Sequence, residues 1–296
     1  MLWKFLLISF SISLECLSVH AAHSRHRAPV VIRAEEPRYD RSITTFSSRG
    51  RLQQVEYGLE ASRRGDPVVA MAFPSVGACI SVNKCSDNKV HRIDAHIIMI
   101  TSGLVGDGRA LASFLRQACQ RFRMSTGEAP TLIEVARMAA EQQHGLTRKA
   151  GARPLGCTAI LAGVEGGTNN NTVRLFQTDP GGIMEECHYC AAGKGQDKAM
   201  TLLQKLSDEV QVISSVEHKE NVIDITRVAQ GVAEVALDVL EEKDGLAHVD
   251  VWILQGEKGR RGDIRLKCVQ KVRQEDLSLL KDRLSKQDVS ATIRYE

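Results

Sequence analysis

The chain has 296 residues, of which 43% are hydrophobic and 25% charged, an ordinary composition for a globular protein that excludes wholesale disorder. The net charge is only +3 and aromatic residues make up 4%, so neither charge nor stacking side chains favour nucleic acid as the main partner. The eight cysteines are spread over a chain long enough to build its own core, which favours buried or free thiols over a disulfide scaffold.

The N-terminal residues 1–22 differ from the rest of the chain. Lys4 precedes a mostly apolar run over residues 5–14, and small residues follow it, as in a secretory signal peptide. The run is shorter than the about 20 residues that a membrane span needs. Three interpretations stay open: a cleaved targeting signal, an anchor of marginal length, and a start codon placed upstream of the true one. Residues 23–37 have no periodicity and are interpreted as a linker, and residues 38–296 as one domain.

Apolar periodicity predicts alternating groups of strands and helices in this domain. The first predicted element is a helix through Leu52, Val55 and Leu59 that stops at Gly65-Asp66-Pro67. Strands follow over 68–73, 76–82 and 96–101, then helices over 107–123 and 131–144, and then strands over 157–164, 172–177 and 183–191. The C-terminal part is predicted to contain helices over 196–206 and 225–241, a hairpin over 249–255 and 263–268, and a last helix over 274–284. Short turns between strands favour antiparallel sheets. The order therefore predicts an α+β fold with two sheets stacked face to face and helices on each outer side.

Several short motifs are better explained by structure than by chemistry. Cys187 and Cys190 form a CxxC motif. A structural zinc ion is usually bound by four ligands, and the chain has no second CxxC pair. Residues three apart on one strand also point to opposite faces. The Gly193-Lys194-Gly195 segment lacks the spacing of a phosphate loop and predicts a strand-to-helix turn. The sequon at 170–172 has meaning only if the chain enters the secretory pathway. We expect neither a metal nor a cofactor.

The most specific pattern covers residues 38–64, RYDRSITTFSSRGRLQQVEYGLEASRR. Its key members are Tyr39, Asp40, Arg41, Phe46, Ser47, Gly50, Arg51, Leu52, Gln54, Val55, Glu56, Tyr57, Glu60 and Ala61. This pattern resembles the N-terminal signature of alpha-type subunits of the 20S proteasome. The resemblance continues at 93–94, 101–104, 107–109, 153–157 and 179–182 and covers residues 38–285. The form of residues 153–157 is most similar to the first alpha class of the eukaryotic ring.

The resemblance implies the N-terminal-nucleophile hydrolase sandwich, a four-layer αββα arrangement that agrees with the predicted element order. Catalytic relatives expose an N-terminal threonine behind a glycine, with its amine as general base and an acid and a lysine downstream. Thr44 and Thr45 are the candidates here, but Ser42 and Ile43 precede them instead of glycine. The lysine position holds Val76 or Gly77, and the aspartate position holds Glu60 or Ala61. The resemblance therefore implies a non-catalytic subunit of a threonine endopeptidase complex.

In this family, alpha subunits form a heptameric outer ring that contacts beta subunits and activators or a regulatory particle. The ring gates substrate access in ubiquitin-dependent protein degradation, in cytoplasm and nucleus. The gating motif matches Tyr39, Asp40, Arg41 and Tyr57, whose hydroxyl and carboxylate groups can form a hydrogen-bonded ring. Ser48 replaces the usual proline of this motif. Because proline fixes φ, its loss should loosen the open-state turn.

The resemblance also implies a pocket between adjacent alpha subunits, where a lysine pairs with the C-terminal carboxylate of an activator tail. Lys89, five residues before Asp94, matches that lysine, and Leu52 and Gly65 match residues that line the pocket. The segment over 73–89 is shorter than in typical relatives. The alternative for Lys89 is a surface lysine in a solvated loop.

Two other functions compete with the structural subunit. One is a self-processing threonine peptidase whose mature chain begins at Thr44 or Thr45. The other is a secreted or organellar protein with the same fold, which would fit the signal-like residues 1–22 and a glycan at Asn170. For the structural subunit we expect no nucleic-acid partner, and no membrane once the leader is removed.

Overall fold

The computed structural model describes residues 40–73, 77–83, 88–166, 171–216, 225–240, 249–258 and 264–273. In chain order the elements are α1 Gln53–Arg63, β1 Val68–Phe73, β2 Gly77–Asn83, β3 Val90–Asp94, β4 Ile97–Gly103, α2 Val105–Thr126, α3 Leu132–Arg148, β5 Cys157–Gly166, β6 Asn171–Thr178, β7 Met184–Cys187, β8 Tyr189–Ala192, α4 Gln196–Val216, α5 Ile225–Leu240, β9 Val249–Lys258 and β10 Ile264–Arg273. The predicted leader, linker and last helix lie outside the described residues.

The strands form two five-stranded sheets. The first sheet has the order β10-β9-β2-β1-β8 and the second the order β3-β4-β5-β6-β7, and every neighbouring pair is antiparallel. Consecutive strands pair through short connections, as expected for antiparallel sheets. The predicted sheet type is confirmed.

Side-chain alternation builds the layers. The interior between the sheets contains every second residue of the central strands: Val68, Ala70 and Ala72 of β1, Ile98 and Ile100 of β4, and Ile160 and Ala162 of β5. The intervening residues face outward, so Val69 and Met71 contact helices α4 and α5, and Ile97 and Met99 contact α2 and α3. A strand covered on both faces reads as a continuous apolar run, because each face of the sheet packs against another layer. The α+β sandwich with four layers, αββα, is confirmed.

The start of α3 has a local explanation. The Thr131 hydroxyl accepts from the Glu134 backbone amide, and the Glu134 carboxylate accepts from the Thr131 backbone amide. This reciprocal capping box satisfies donors that the first helical turn leaves open. No helix among the described residues is both long and apolar enough to cross a bilayer.

The strand prediction is wrong at two places. The pattern missed β3, a short edge strand in which only alternate residues are buried. The single strand predicted over 183–191 is two strands, because the chain leaves the second sheet after β7 and joins the first as β8. At this crossing the His188 carbonyl accepts from the Ala72 amide at 2.7 Å. Cys187 and Cys190 therefore do not lie on one strand, and both contact the apolar interior between the sheets.

Candidate functional site

The turn before α1 is closed by its own backbone. The Gly50 amide donates to the Ser47 carbonyl at 2.8 Å, and the Ser47 amide donates to the Arg51 carbonyl at 2.8 Å. The Arg51 amide also donates to the Ser47 hydroxyl at 3.1 Å. Gly50 has φ +72°, a left-handed conformation that glycine adopts at little cost. Ser48 therefore occupies the first central position of a turn, where proline is the favoured residue.

The segment that precedes this turn is tied to α1 by polar contacts. The Gln54 side-chain amide donates to the backbone carbonyl of Asp40 and, at 3.2 Å, to Asp40 Oδ1. Partial burial, followed by the nearby Asp40 carboxylate, raises the pKa of Tyr57, so the phenol stays protonated. Gln54 and Tyr57 are three residues apart and share one face of the helix. Ile43 is buried and adds an apolar anchor.

The structure thus brings together two predicted gating residues, Asp40 and Tyr57. Arg41 is exposed, and Tyr39 lies outside the described residues. The sequence pattern did not single out Gln54 as a gating residue, although its spacing from Tyr57 is a signal that helix geometry makes readable.

Lys89 lies immediately before β3 and is paired within the chain. Its Nζ lies 2.8 Å from Asp66 Oδ2. The Lys89 side chain is only 7% exposed, whereas that of Asp66 is 49% exposed. The alternative of a surface lysine in a solvated loop is therefore wrong. A buried ammonium needs such a partner, because desolvation without one is costly.

The other two predicted pocket residues lie at opposite ends of α1. Leu52 is the N-cap residue, and Gly65 follows the helix end, next to Asp66. An eleven-residue helix separates its ends by roughly 16 Å. Gly65 therefore adjoins Asp66, the partner of Lys89, whereas Leu52 lies at the other end of the helix.

The end of α1 is held against both sheets. The Ser102 hydroxyl, at the end of β4, donates to the Asp66 carbonyl at 2.8 Å. The Lys194 amide, just after β8, donates to the Gly65 carbonyl at 2.8 Å. The backbone at Gly65 is so close to Gly103 that a Cβ there would lie 2.7 Å from Gly103 Cα. The backbone positions of Gly65 and Asp66 are therefore defined by both sheets.

A buried carboxylate holds the loop on which α1 packs. Asp107, in the first turn of α2, accepts two hydrogen bonds from the Arg153 guanidinium at 2.6 and 2.7 Å and one from the Gly156 amide at 2.8 Å. The Arg153 hydrogen bonds are the main cause that lowers the pKa of Asp107, and the helix N-terminus also favours its negative charge. Gly156 in turn packs against Ala61 of α1 and Leu104. The sequence pattern assigned no role to this contact.

Thr44, one of the two candidate nucleophiles, lies in the segment before α1. Thr44 is exposed, and its Oγ1 lies 3.0 Å from the Ser42 hydroxyl. In the uncleaved chain its nitrogen is a peptide amide that donates to Ser42 Oγ at 3.3 Å, so it could act as a general base only after cleavage before Thr44. Among the described residues no group of three or more His, Cys, Asp and Glu side chains could hold a metal ion. Burial raises the pKa of Cys187 to about 11, so this thiol is protonated.

Comparison with known proteins identifies the family. The family model for the proteasome subunit matches residues 62–234, and the model for the N-terminal signature of A-type proteasome subunits matches residues 39–61. The proteasome alpha subunit of Methanococcus maripaludis is 37% identical over 185 residues, which cover 60% of this chain and 70% of the relative. That of Picrophilus torridus is 32% identical over 212 residues, covering 69% of this chain and 84% of the relative. The chain therefore belongs to the proteasome subunit family, as an alpha-type member of the core particle.

Proposed function

We propose that this alpha subunit is a non-catalytic member of the outer ring, and that it gates substrate access and docks activators in ubiquitin-dependent protein degradation. The observation that carries the proposal is the pair of hydrogen bonds from the Gln54 side chain to Asp40, on the helix face that also carries Tyr57. It ties the segment preceding α1 to a helix that the sandwich itself holds in place.

The gating role depends on how few contacts hold this segment. Asp40 accepts hydrogen bonds from α1, and Ile43 is buried. Arg41, which lies between them, and Thr44, which follows Ile43, are exposed. A segment held at two points can change direction when one point is released, since the exposed residues contribute little to its position. A hydrogen bond from the Tyr57 hydroxyl to Asp40, added to the Gln54 contacts, would therefore stabilise the open arrangement.

The docking role depends on the cationic group beside the end of α1. Lys89 supplies an ammonium next to Gly65, and charge-assisted hydrogen bonds are the strong interactions available to a tail carboxylate. Leu52 lies at the other end of α1, so a pocket containing all three residues would combine two neighbouring subunits. Such a pocket forms only in the assembled ring, which fits a partner set of other alpha subunits, beta subunits and an activator.

The absence of peptidase activity in the isolated chain is part of the same proposal. Threonine catalysis needs a free N-terminal amine and a neighbouring lysine and acid, whereas Val76 or Gly77 holds the lysine position and Glu60 or Ala61 the aspartate position. Purified chain without companion subunits should cleave no peptide in a manner blocked by a threonine-directed inhibitor. A mature chain that begins at Thr44 or Thr45 would instead support the peptidase.

Cytoplasm and nucleus are the compartments that we infer for the assembled particle. A signal in residues 1–22 that directs the chain elsewhere is the alternative. N-terminal sequencing of the native protein, together with its sedimentation size, separates the two: a particle of core size is expected, and a glycosylated monomer would contradict the assignment.

Tyr57→Phe tests the gate. This substitution removes the hydroxyl proposed to donate to Asp40 and leaves the aromatic ring, so we expect core particles of normal size whose activator-stimulated hydrolysis of a short fluorogenic peptide is reduced. The matched control is Tyr189→Phe, because Tyr189 packs beside the α4–α5 layer of the first sheet. Equal stimulation of Tyr57→Phe, Tyr189→Phe and wild-type particles would refute the gating role.

A further inference from the structure

The docking lysine already has a carboxylate partner inside the chain. Lys89 Nζ lies 2.8 Å from Asp66 Oδ2, and the lysine is buried while the aspartate is half exposed. A carboxylate of another molecule must approach the ammonium from solvent, and the half-exposed Asp66 carboxylate already pairs with that ammonium.

We propose that Asp66 is an internal competitor for the activator tail, so that this subunit binds a tail carboxylate only by displacing Asp66 from Lys89. The inference rests on the proposed docking role of Lys89. It adds that residue 66 sets the affinity of the pocket for a C-terminal carboxylate, and that the pocket in its resting state is self-occupied.

The backbone of Asp66 is fixed by hydrogen bonds, whereas its carboxylate is half exposed to solvent. The backbone carbonyl accepts from Ser102 at 2.8 Å, and the neighbouring Gly65 carbonyl accepts from the Lys194 amide at 2.8 Å. These bonds hold the main chain to both sheets. The side chain is exposed at 49%, so water can solvate the Asp66 carboxylate when a tail carboxylate takes its place at Lys89.

The charges of Lys89 and Asp66 determine how strongly a second carboxylate can bind. Lys89 and Asp66 together are neutral, so a tail carboxylate beside both groups gains attraction to the ammonium and suffers repulsion from Asp66. An ammonium has three donors and can bind more than one oxygen, but two carboxylates at one cation still repel each other. Binding therefore requires displacement of Asp66, and breaking an ion pair with a half-exposed partner weakens binding about fivefold, the equivalent of about 1 kcal/mol.

Asp66→Asn removes the charge and keeps an oxygen that can accept from Lys89. The test uses assembled core particles with wild-type or Asp66→Asn chains. The probe is a fluorescein-labelled peptide copied from the C-terminal segment of a proteasome activator, made with a free carboxylate and as the C-terminal amide. We expect Asp66→Asn to tighten binding of the carboxylate peptide by about fivefold or more, and to leave the affinity of the amide peptide unchanged.

Two further variants separate the possible failures. Glu60→Gln removes a negative charge that pairs with Arg64 on α1, and it should change neither affinity. Lys89→Met should abolish the difference between the two peptides. If Lys89→Met loses the carboxylate preference but Asp66→Asn binds no tighter than wild type, the competition by Asp66 is refuted and docking stands. If neither wild-type nor Asp66→Asn particles prefer the carboxylate peptide, the docking role is refuted and the competition with it.

Discussion

Replacing Gly65 with alanine tests whether the contact between α1 and the second sheet is as close as the structure indicates. A Cβ at this position would lie 2.7 Å from both Gly103 Cα and Ser102 Oγ, inside the 3.0 Å that Cβ atoms keep from other heavy atoms. The nearest obstacle is the backbone of Gly103, which β4 holds by pairing with β5. A neighbour of this kind cannot rotate away, so α1 must shift.

The expected loss in free energy of unfolding for Gly65→Ala is at the upper end of the range for overpacked sites. Inserting a methylene into a filled site typically costs about 1–3 kcal/mol, and an unyielding backbone neighbour favours about 3 kcal/mol. The matched control is Gly145→Ala in the exposed part of α3, where nothing lies within 4 Å of the new Cβ. In a helix interior alanine is preferred over glycine by about 0.5–1 kcal/mol, so the same chemical change should stabilise the chain there.

Urea unfolding of the two purified variants and the wild type gives the change in free energy of unfolding for each variant. The midpoint should fall for Gly65→Ala and rise for Gly145→Ala. The close packing of α1 on β4 is refuted if Gly65→Ala unfolds at the wild-type midpoint or above it.

Two further predictions concern the turn before α1 and a buried histidine. Ser48→Pro should stabilise the chain by about 0.4–1 kcal/mol, because proline suits the first central position of the turn and restricts the unfolded chain; a lower urea midpoint would contradict the turn assignment. His91 is buried on β3, and its pKa falls from 6.5 to about 4 through desolvation, with the Arg116 and Arg109 charges adding to it. Because the unfolded state binds the proton more tightly, stability should fall as pH drops through 6.5 towards 4, by up to about 3 kcal/mol. Urea titrations at several pH values should show a flatter dependence in His91→Leu than in the wild type, and equal slopes would contradict the shift.

The layers of the fold could be predicted from short-range patterns. Strands such as β1 and β4 are apolar on both faces, and the helices α2 and α3 carry one buried stripe each. These patterns repeat over a few residues, because side chains alternate along a strand and recur every turn of a helix. The same rule explains the miss over 183–191, since an apolar run continues unchanged when a chain passes from one sheet to another.

The candidate site was predictable only in part. Asp40 and Tyr57 belong to one short signature, and the structure brings them into contact. Lys89 was placed by its distance from Asp94, but its burial and its pairing with Asp66 were not foreseen. Leu52 and Gly65 lie at the two ends of α1, so their place in one pocket between neighbouring subunits stays a prediction.

The sequence by itself determined the family and most of the order of helices and strands, because both depend on residues that lie close together along the chain. Only the tertiary structure decided which charges meet. Lys89 and Asp66 are 23 positions apart, and Arg153 and Asp107 are 46 positions apart. Ion pairs over such separations leave no periodic trace in a sequence, since their partners are selected by how the two sheets stack and where α1 ends.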